Sequence, residues 1–296
     1  MSAPNNYINI NSKDYDPYSN KDFPETKDAE ISVVNYGKTF KNLQQDTAET
    51  PDLIKNIFES EVGKDEENDQ KISKTLSSMS RPHVITKIKL TSAQGVIRCE
   101  GNFIGNQLTG KGKFIWNNGA IYEGDFINGN RTGKGTYTWN NGEIYEGDFV
   151  DGKRTGKGKY TWNNGDIYEG DFVDGKRTGK GKLIWNEQGD IYEGDFVDGK
   201  RTGKGKLIWN KGGMYEGDFV DGKLTGKGKF IHRNGYIYEG DLVDGKEEGK
   251  GKLTSKMGNI YEGDFVDGKR TGKGKLLWND GTIYEGNFVN GELQKL

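Results

Sequence analysis

Between residues 99 and 296 one phrase restarts nine times: an aromatic-Glu-Gly-Asp-Phe segment, then a Gly-Lys-Gly segment, at a spacing of 23 residues. The restarts fall at Tyr122, Tyr145, Tyr168, Tyr192, Tyr215, Tyr238, Tyr261 and Tyr284, with Cys99 in the tyrosine position of a degenerate first copy. A fixed period of this length specifies an array of small supersecondary units in place of a globular enzyme domain. The one irregular interval, Tyr168 to Tyr192, is 24 residues, and its extra residue lies in Asn186-Glu187-Gln188-Gly189. That segment reads as a loop, where an insertion is tolerated.

Side chains alternate across a strand, so Tyr145, Gly147 and Phe149 share one face and Glu146 and Asp148 the other. In Gly156-Lys157-Gly158-Lys159-Tyr160-Thr161-Trp162 the glycines and aromatics again share a face. Asp151-Gly152 between the two segments supplies the positive φ angles of a tight hairpin, and Asn163-Asn164-Gly165 makes the return turn. The expected fold is an all-β repeat, an elongated single-layer meander of β-hairpins in a solenoid-like ribbon. Two strands per repeat at about 4.8 Å make it on the order of 80 Å long. With no second layer, the rings are expected to lie over glycine pairs such as Gly156 and Gly158. Glu146 and Asp148 are expected to face lysines of neighbouring strands.

Three regions follow: a polar arm over 1–83, a capping strand and turn over 84–98, and nine repeats over 99–296, the last incomplete. Within the arm, Thr50-Pro51 opens a predicted helix over 51–62. Its apolar positions Leu53, Ile54, Ile57 and Phe58 recur on one helical face. That stripe either folds back on the ribbon or docks into a partner protein. The final strand leaves an edge for self-association.

Composition narrows the function. Hydrophobic residues are 31%, with 46 glycines and a net charge of −2, so no global basic field points to nucleic acid. Cys99 is the only cysteine, which excludes an internal disulfide and a cysteine-based zinc site. Neither a secretory leader nor a bilayer-spanning run is evident, so the expectation is a cytoplasmic, cytoskeletal protein. The Gly-Lys-Gly segments sit inside strands, unlike a phosphate-binding loop. His83 and His232 have no companions at metal-ligand spacing. No catalytic, cofactor or metal residue is expected, and the chain reads as no enzyme.

The phrase Tyr-Glu-Gly-Asp-Phe, Gly-Lys, Gly-Lys-Gly resembles the MORN repeat, over about two-thirds of the chain. The chain has Phe126, Phe149, Phe172, Phe196, Phe219, Phe265 and Phe288 where many such units have tryptophan. It has Thr132, Thr155, Thr178, Thr202, Thr225 and Thr271 where they have histidine, and the seventh copy departs further at Leu242 and Glu248. The resemblance implies a non-catalytic structural scaffold for protein–protein interaction, of the kind found in radial-spoke-head-type proteins of the cilium, flagellum and axoneme. Some relatives carry lysine methyltransferase or lipid kinase domains; the residues before the array are too polar for such an enzyme, and none is expected from this sequence.

Three surfaces are candidates. Tyr168, Trp185, Tyr192, Trp209 and Tyr215 mark an aromatic face suited to protein binding, since these residue types dominate binding hot spots. The arm residues Leu53, Ile54, Ile57 and Phe58 form a second. The turn pairs Lys153-Arg154, Lys176-Arg177, Lys200-Arg201 and Lys269-Arg270 form a basic row that would meet acidic phospholipids in a peripheral membrane tether. Each turn also carries an aspartate, which favours a solvated row instead. A targeting subunit for a separate enzyme is a further alternative, differing from the scaffold only in its partner.

Overall fold

Tight type I′ turns set the hairpins. Asp151 and Gly152 both adopt positive φ, 47° and 77°, as do the corresponding pairs from Asn128-Gly129 to Asn290-Gly291. Such turns match the right-handed twist of the flanking strands. The computed structural model describes residues 107–294 together with strands Val33–Val34, His83–Ser92 and Gly95–Ile104, with side chains described for 99–102 and 108–294. The predicted helix over 51–62 lies outside the described residues. Among those residues every element is a strand and none is a helix.

Two compact units divide the described residues, one ending at Asn163 and one beginning at Asn164. In the first, His83–Ser92 pairs with Val33–Val34 and Gly95–Ile104, and the sheet continues antiparallel through Gln107–Ile115, Ile121–Ile127, Asn130–Thr138, Ile144–Val150 and Lys153–Thr161. In the second, eleven strands from Ile167–Val173 to Ile283–Val289 pair in order, and Glu292–Leu293 adds a short edge. Each unit is an open antiparallel meander of hairpins.

Burial follows the alternation. Tyr145 and Phe149 are buried, while Glu146 and Val150 between and beyond them are exposed. The glycine strand does not alternate simply, because a bulge separates Asp148↔Thr155 from Gly147↔Gly158. Gly156 and Lys157 are the extra residues. Gly156 therefore does not give room to a ring. Its φ is +56° and an added Cβ would lie 2.7 Å from Asp148 Oδ2, so it is a bulge residue with left-handed backbone. The ring instead lies on Gly147 and Gly158, where an added Cβ would come within 2.4–2.5 Å of Tyr145 Oη.

At the bulge the ladder is interrupted and Tyr145 Oη covers it, donating to Asp148 O at 3.1 Å and lying 3.4 Å from Thr155 O. On the other face, Asp148 Oδ2 accepts from Lys157 N at 3.3 Å. Its second oxygen meets Lys134 Nζ of the preceding strand at 2.6 Å. One Tyr-x-Gly-Asp sequence thus satisfies a bulge from both faces.

Candidate functional site

The layer that replaces a second sheet is built from tyrosine, phenylalanine and arginine. Phe149 stands edge-on to Tyr122 at 5.0 Å and to Tyr145 at 5.2 Å. In the second unit Phe196 bridges Tyr168 and Tyr192 at 5.0 and 5.3 Å, and Phe219 continues to Tyr215. Such edge-to-face contacts add about 0.5–1.5 kcal/mol each beyond burial. Burial pushes the Tyr215 hydroxyl up to about 12.

The second residue of each Lys-Arg pair completes this layer. Register places Arg154 opposite Phe149, on the ring face. Its guanidinium lies 5.1–5.7 Å from the rings of Trp139, Tyr145 and Tyr160. Arg177 sits 5.5 Å from both Tyr168 and Phe196 and donates through Nη2 to Gly199 O at 2.7 Å. Burial, and then the neighbouring Arg201 guanidinium, pushes Arg177 below its ordinary pKa, but an arginine remains charged. The main chain answers the side chain: Gly199 N donates to Arg177 O at 2.9 Å. The arginine of one repeat therefore brackets the turn glycine of the next. Arg270 and Gly291 repeat the arrangement.

The Lys-Arg pairs of the sequence are thus split between faces. Arg154 and Arg177 are buried and Arg201 and Arg270 half-buried in the ring layer, whereas Lys153, Lys176, Lys200 and Lys269 are exposed. Lys176 pairs with Asp198 and Lys200 with Asp221, each at 3.2 Å, so the tip lysine of one repeat meets the turn aspartate of the next. Lys246 and Asp267 continue the ladder.

Among the aromatic candidates, Tyr168, Tyr192 and Tyr215 have 0% exposure, and Trp185 and Trp209 are half-buried. The tyrosines offer no groove, because glycine-seated rings cover one another. Leu53, Ile54, Ile57 and Phe58 fall outside the described residues.

An apolar surface does remain, in a column that sequence reasoning passed over. Ile127 and Val150 in the first unit, and Val173, Val197, Val220, Val243, Val266 and Val289 in the second, are 51–59% exposed. Each closes a hairpin opposite the tip residue, on the charged face. The signal was the unvarying Val before Asp-Gly. In the second unit an open trough of about 780 Å³ runs over Gly194, Gly205, Gly217 and Gly228. Its walls include the pair Lys229 with Glu239 at 3.2 Å. Among the described residues no group of three or more His, Cys, Asp or Glu is arranged to hold a metal ion.

A glycine-seated ring layer repeated hairpin by hairpin defines an all-β repeat protein with one sealed face and one charged face. The chain belongs to the MORN repeat family, which matches residues 99–121, 122–144, 145–167, 168–189, 192–214, 215–235, 238–260, 261–283 and 284–294. No curated protein matches it. Solved structures similar to it include the SAS-4 TCP domain of Drosophila melanogaster in complex with a proline-rich motif of Ana2. That match has 17% identity and a TM-score of 0.35 over 53% of this chain and 85% of that one. The TCP10 domain of Danio rerio CPAP, as an E1021V mutant, matches with 13% identity and a TM-score of 0.36 over 68% and 99%.

Proposed function

We propose that this chain is a non-catalytic scaffold that binds other proteins in a cytoskeletal assembly, with a cilium or axoneme as its setting. The observation that carries the reading is the valine column. The hairpins of Val150, Val173, Val197, Val220, Val243 and Val266 present the same half-exposed valine beside an Asp-Gly-Lys tip, and Ile127 and Val289 stand half-exposed at the corresponding positions. Periodic exposed apolar residues on an otherwise sealed sheet suit multivalent protein contact. Membership in the MORN family supports it. The peripheral tether to acidic phospholipid draws less support, since the arginines face the ring layer and the tip lysines face aspartates.

Detergent extraction of cells expressing the tagged chain, high-salt washing and mass spectrometry of the residue test the reading. The comparison is a triple variant, Val197→Lys, Val220→Lys and Val243→Lys, at exposed positions where folding is retained by circular dichroism. Retention of a defined set of axonemal or cytoskeletal proteins by the wild type, lost in the variant, is the expected result. Full release by detergent, with salt-sensitive binding to phosphatidylserine vesicles, would overturn it in favour of the tether.

A further inference from the structure

The return turns of the second unit are stitched together by a side chain that two of them have lost. Asn186 N donates to Asp166 Oδ1 at 2.8 Å, Asn210 N to Asp190 Oδ1 at 3.0 Å and Asn279 N to Asn259 Oδ1 at 2.9 Å. In each contact the residue two before a tyrosine accepts from the second residue of the next return turn. Between these contacts the acceptor position is held by Gly213 and then by Tyr236. The main-chain N–H groups of Arg233 and Lys256 therefore meet no side-chain carboxylate or amide oxygen.

The same turns change charge. Those on either side carry Asp166, Glu187, Asp190 and Asp280, whereas 209–213, 232–236 and 255–259 carry no acid and one cation each, Lys211, Arg233 and Lys256. All three cations are exposed and none is in an ion pair. Lysines of the open face are matched by contrast, Lys204 with Asp218 at 2.6 Å, Lys227 with Asp241 at 2.7 Å and Lys250 with Asp264 at 2.6 Å. The stems of Arg233 and Lys256 lie across the turn before them. A Cβ added to Gly212 would meet Arg233 Cγ at 3.2 Å, and one added to Gly235 would meet the Lys256 stem at 3.5 Å. The cations thus share one margin of the sheet at successive turns, about 10 Å apart, the width of two strands. An atom at the Cβ position of Gly213 would lie 3.5 Å from Arg233 N, with Ile231 O at 3.1 Å its nearest neighbour. Glycine leaves that approach to the N–H open.

We propose that this margin binds an acidic peptide segment of a partner protein, with a carboxylate beside Arg233 N in the place that Asp166 takes beside Asn186 N. The chain's own aspartates supply the template for the contact. The flanking Lys211 and Arg233 side chains make it charge-assisted, and the arginine fork matches a carboxylate in two bonds. An extended chain advances about 3.3 Å per residue, so acids at every third residue recur at about 10 Å and meet successive turns. Cations in a line on the edge of a single sheet fit a linear polyanion, whereas a lipid surface calls for a planar patch. The site rests on the scaffold reading and gives it a second partner chemistry, at the opposite ends of the strands from the valine column.

The test titrates the full chain with a fluorescein-labelled peptide, Glu-Gly-Gly-Glu-Gly-Gly-Glu, followed by anisotropy, and reads the Arg233 amide by NMR in protein labelled at arginine nitrogen. Saturable binding with a shift of the Arg233 amide is expected, weaker by about tenfold with the glutamine analogue. Lys211→Asn, Arg233→Asn and Lys256→Asn together restore the residue of the other return turns and should weaken the peptide by about tenfold or more. Lys204→Gln, Lys227→Gln and Lys250→Gln remove the same charge from paired lysines and should change it by less than about twofold. Equal weakening in the two variants, equal binding of the glutamine analogue, or no saturable binding would overturn the assignment. Binding to phosphatidylserine vesicles without binding to the peptide would overturn it in favour of lipid. A shift of the Arg233 amide in Asp65→Ser, Glu66→Ser and Glu67→Ser with no peptide added would overturn it in favour of the chain's own acidic run. Such a failure would leave the valine-column experiment standing, because that experiment reads protein retention through residues at the other margin.

Discussion

Alanine at Gly205 probes the central packing device in one atom. Its Cβ would lie 2.5 Å from Tyr192 Cε2 and Oη and 2.7 Å from Cζ, where ordinary contact needs about 3.5 Å or more. The ring must lift by about 1 Å, and overpacking of that kind costs about 1–3 kcal/mol. Lifting also breaks the bond from Tyr192 Oη to Asp195 O, 3.0 Å long, for about 1 kcal/mol. It disturbs the edge contacts with Phe196 and Phe219 at 5.3 and 5.0 Å. Alanine recovers about 0.4–1 kcal/mol by restricting the unfolded chain. The expected net loss is about 2–4 kcal/mol. Gly286→Ala is the control, since its Cβ would meet only Leu293 Cδ1 at 3.1 Å and Tyr284 is 50% exposed. That variant should change stability by less than about 0.5 kcal/mol. Urea unfolding, with amide exchange across Asp195–Lys204 to localise the effect, reads both. In a Tyr192→Leu background the cost of Gly205→Ala should shrink by at least about 1.5 kcal/mol. Additivity within about 0.5 kcal/mol, or an equal loss at Gly286, would refute the reasoning.

Arg177→Leu should cost less than Arg177→Lys in the same unfolding assay. Leu224 already occupies the equivalent position of its repeat, whereas a buried ammonium lacks the fork that spans the rings and Gly199 O. Tyr168→Phe removes the donor to Asp171 O at 3.1 Å and should cost about 1 kcal/mol, measured against wild type by urea midpoint. The Lys111 side chain and the Lys134 N–H hold the Asp125 carboxyl below its ordinary range. A lowered folded pKa gives stability that is fully present above the unfolded value and is lost as pH falls through the folded one. Thermal unfolding between about pH 5 and 2 should therefore show a shallower acid loss in Asp125→Asn than in wild type, and equal slopes would contradict it.

The period, the Asp-Gly turns and the alternation of Tyr145 and Phe149 were enough to read the meander of hairpins. The bulge was not legible, because Gly156-Lys157-Gly158 fits an uninterrupted strand equally well. Only the register of Asp148 with Thr155 separates the two glycine roles. Arg154 was misplaced for a different reason: the Asp151-Gly152 turn alone sets it opposite Phe149, but Lys153 and Arg154 were read as one turn row instead of residue by residue. The tyrosine face that sequence reasoning left open for partners is sealed because each ring is seated on glycines and covered by its neighbours. Reading down the columns of the repeats, instead of along them, would have exposed the change to Lys211, Arg233 and Lys256 in successive return turns and the constancy of Val150 and its counterparts.

The main-chain bond from a turn glycine to the strand residue of the preceding repeat makes the two ends of a hairpin unequal. At the Asp-Gly end, Gly222 N reaches Arg201 O at 2.8 Å, so an added residue would pull the tip out of the previous repeat's grasp. At the return end the main chain closes locally, as when Gly212 N meets Trp209 O at 2.9 Å, and the link to the neighbouring repeat is a side chain, as when Asn210 N donates to Asp190 Oδ1 at 3.0 Å. The chain's own extra residue, within Asn186-Glu187-Gln188-Gly189, sits at that end. One margin is therefore joined by main-chain bonds between repeats and the other by side-chain bonds, and the side-chain margin already accommodates an extra residue. Epitopes, fluorophores or whole domains grafted into the side-chain margin should leave the repeats in step, and the same cargo in the main-chain margin should unlock two repeats at once.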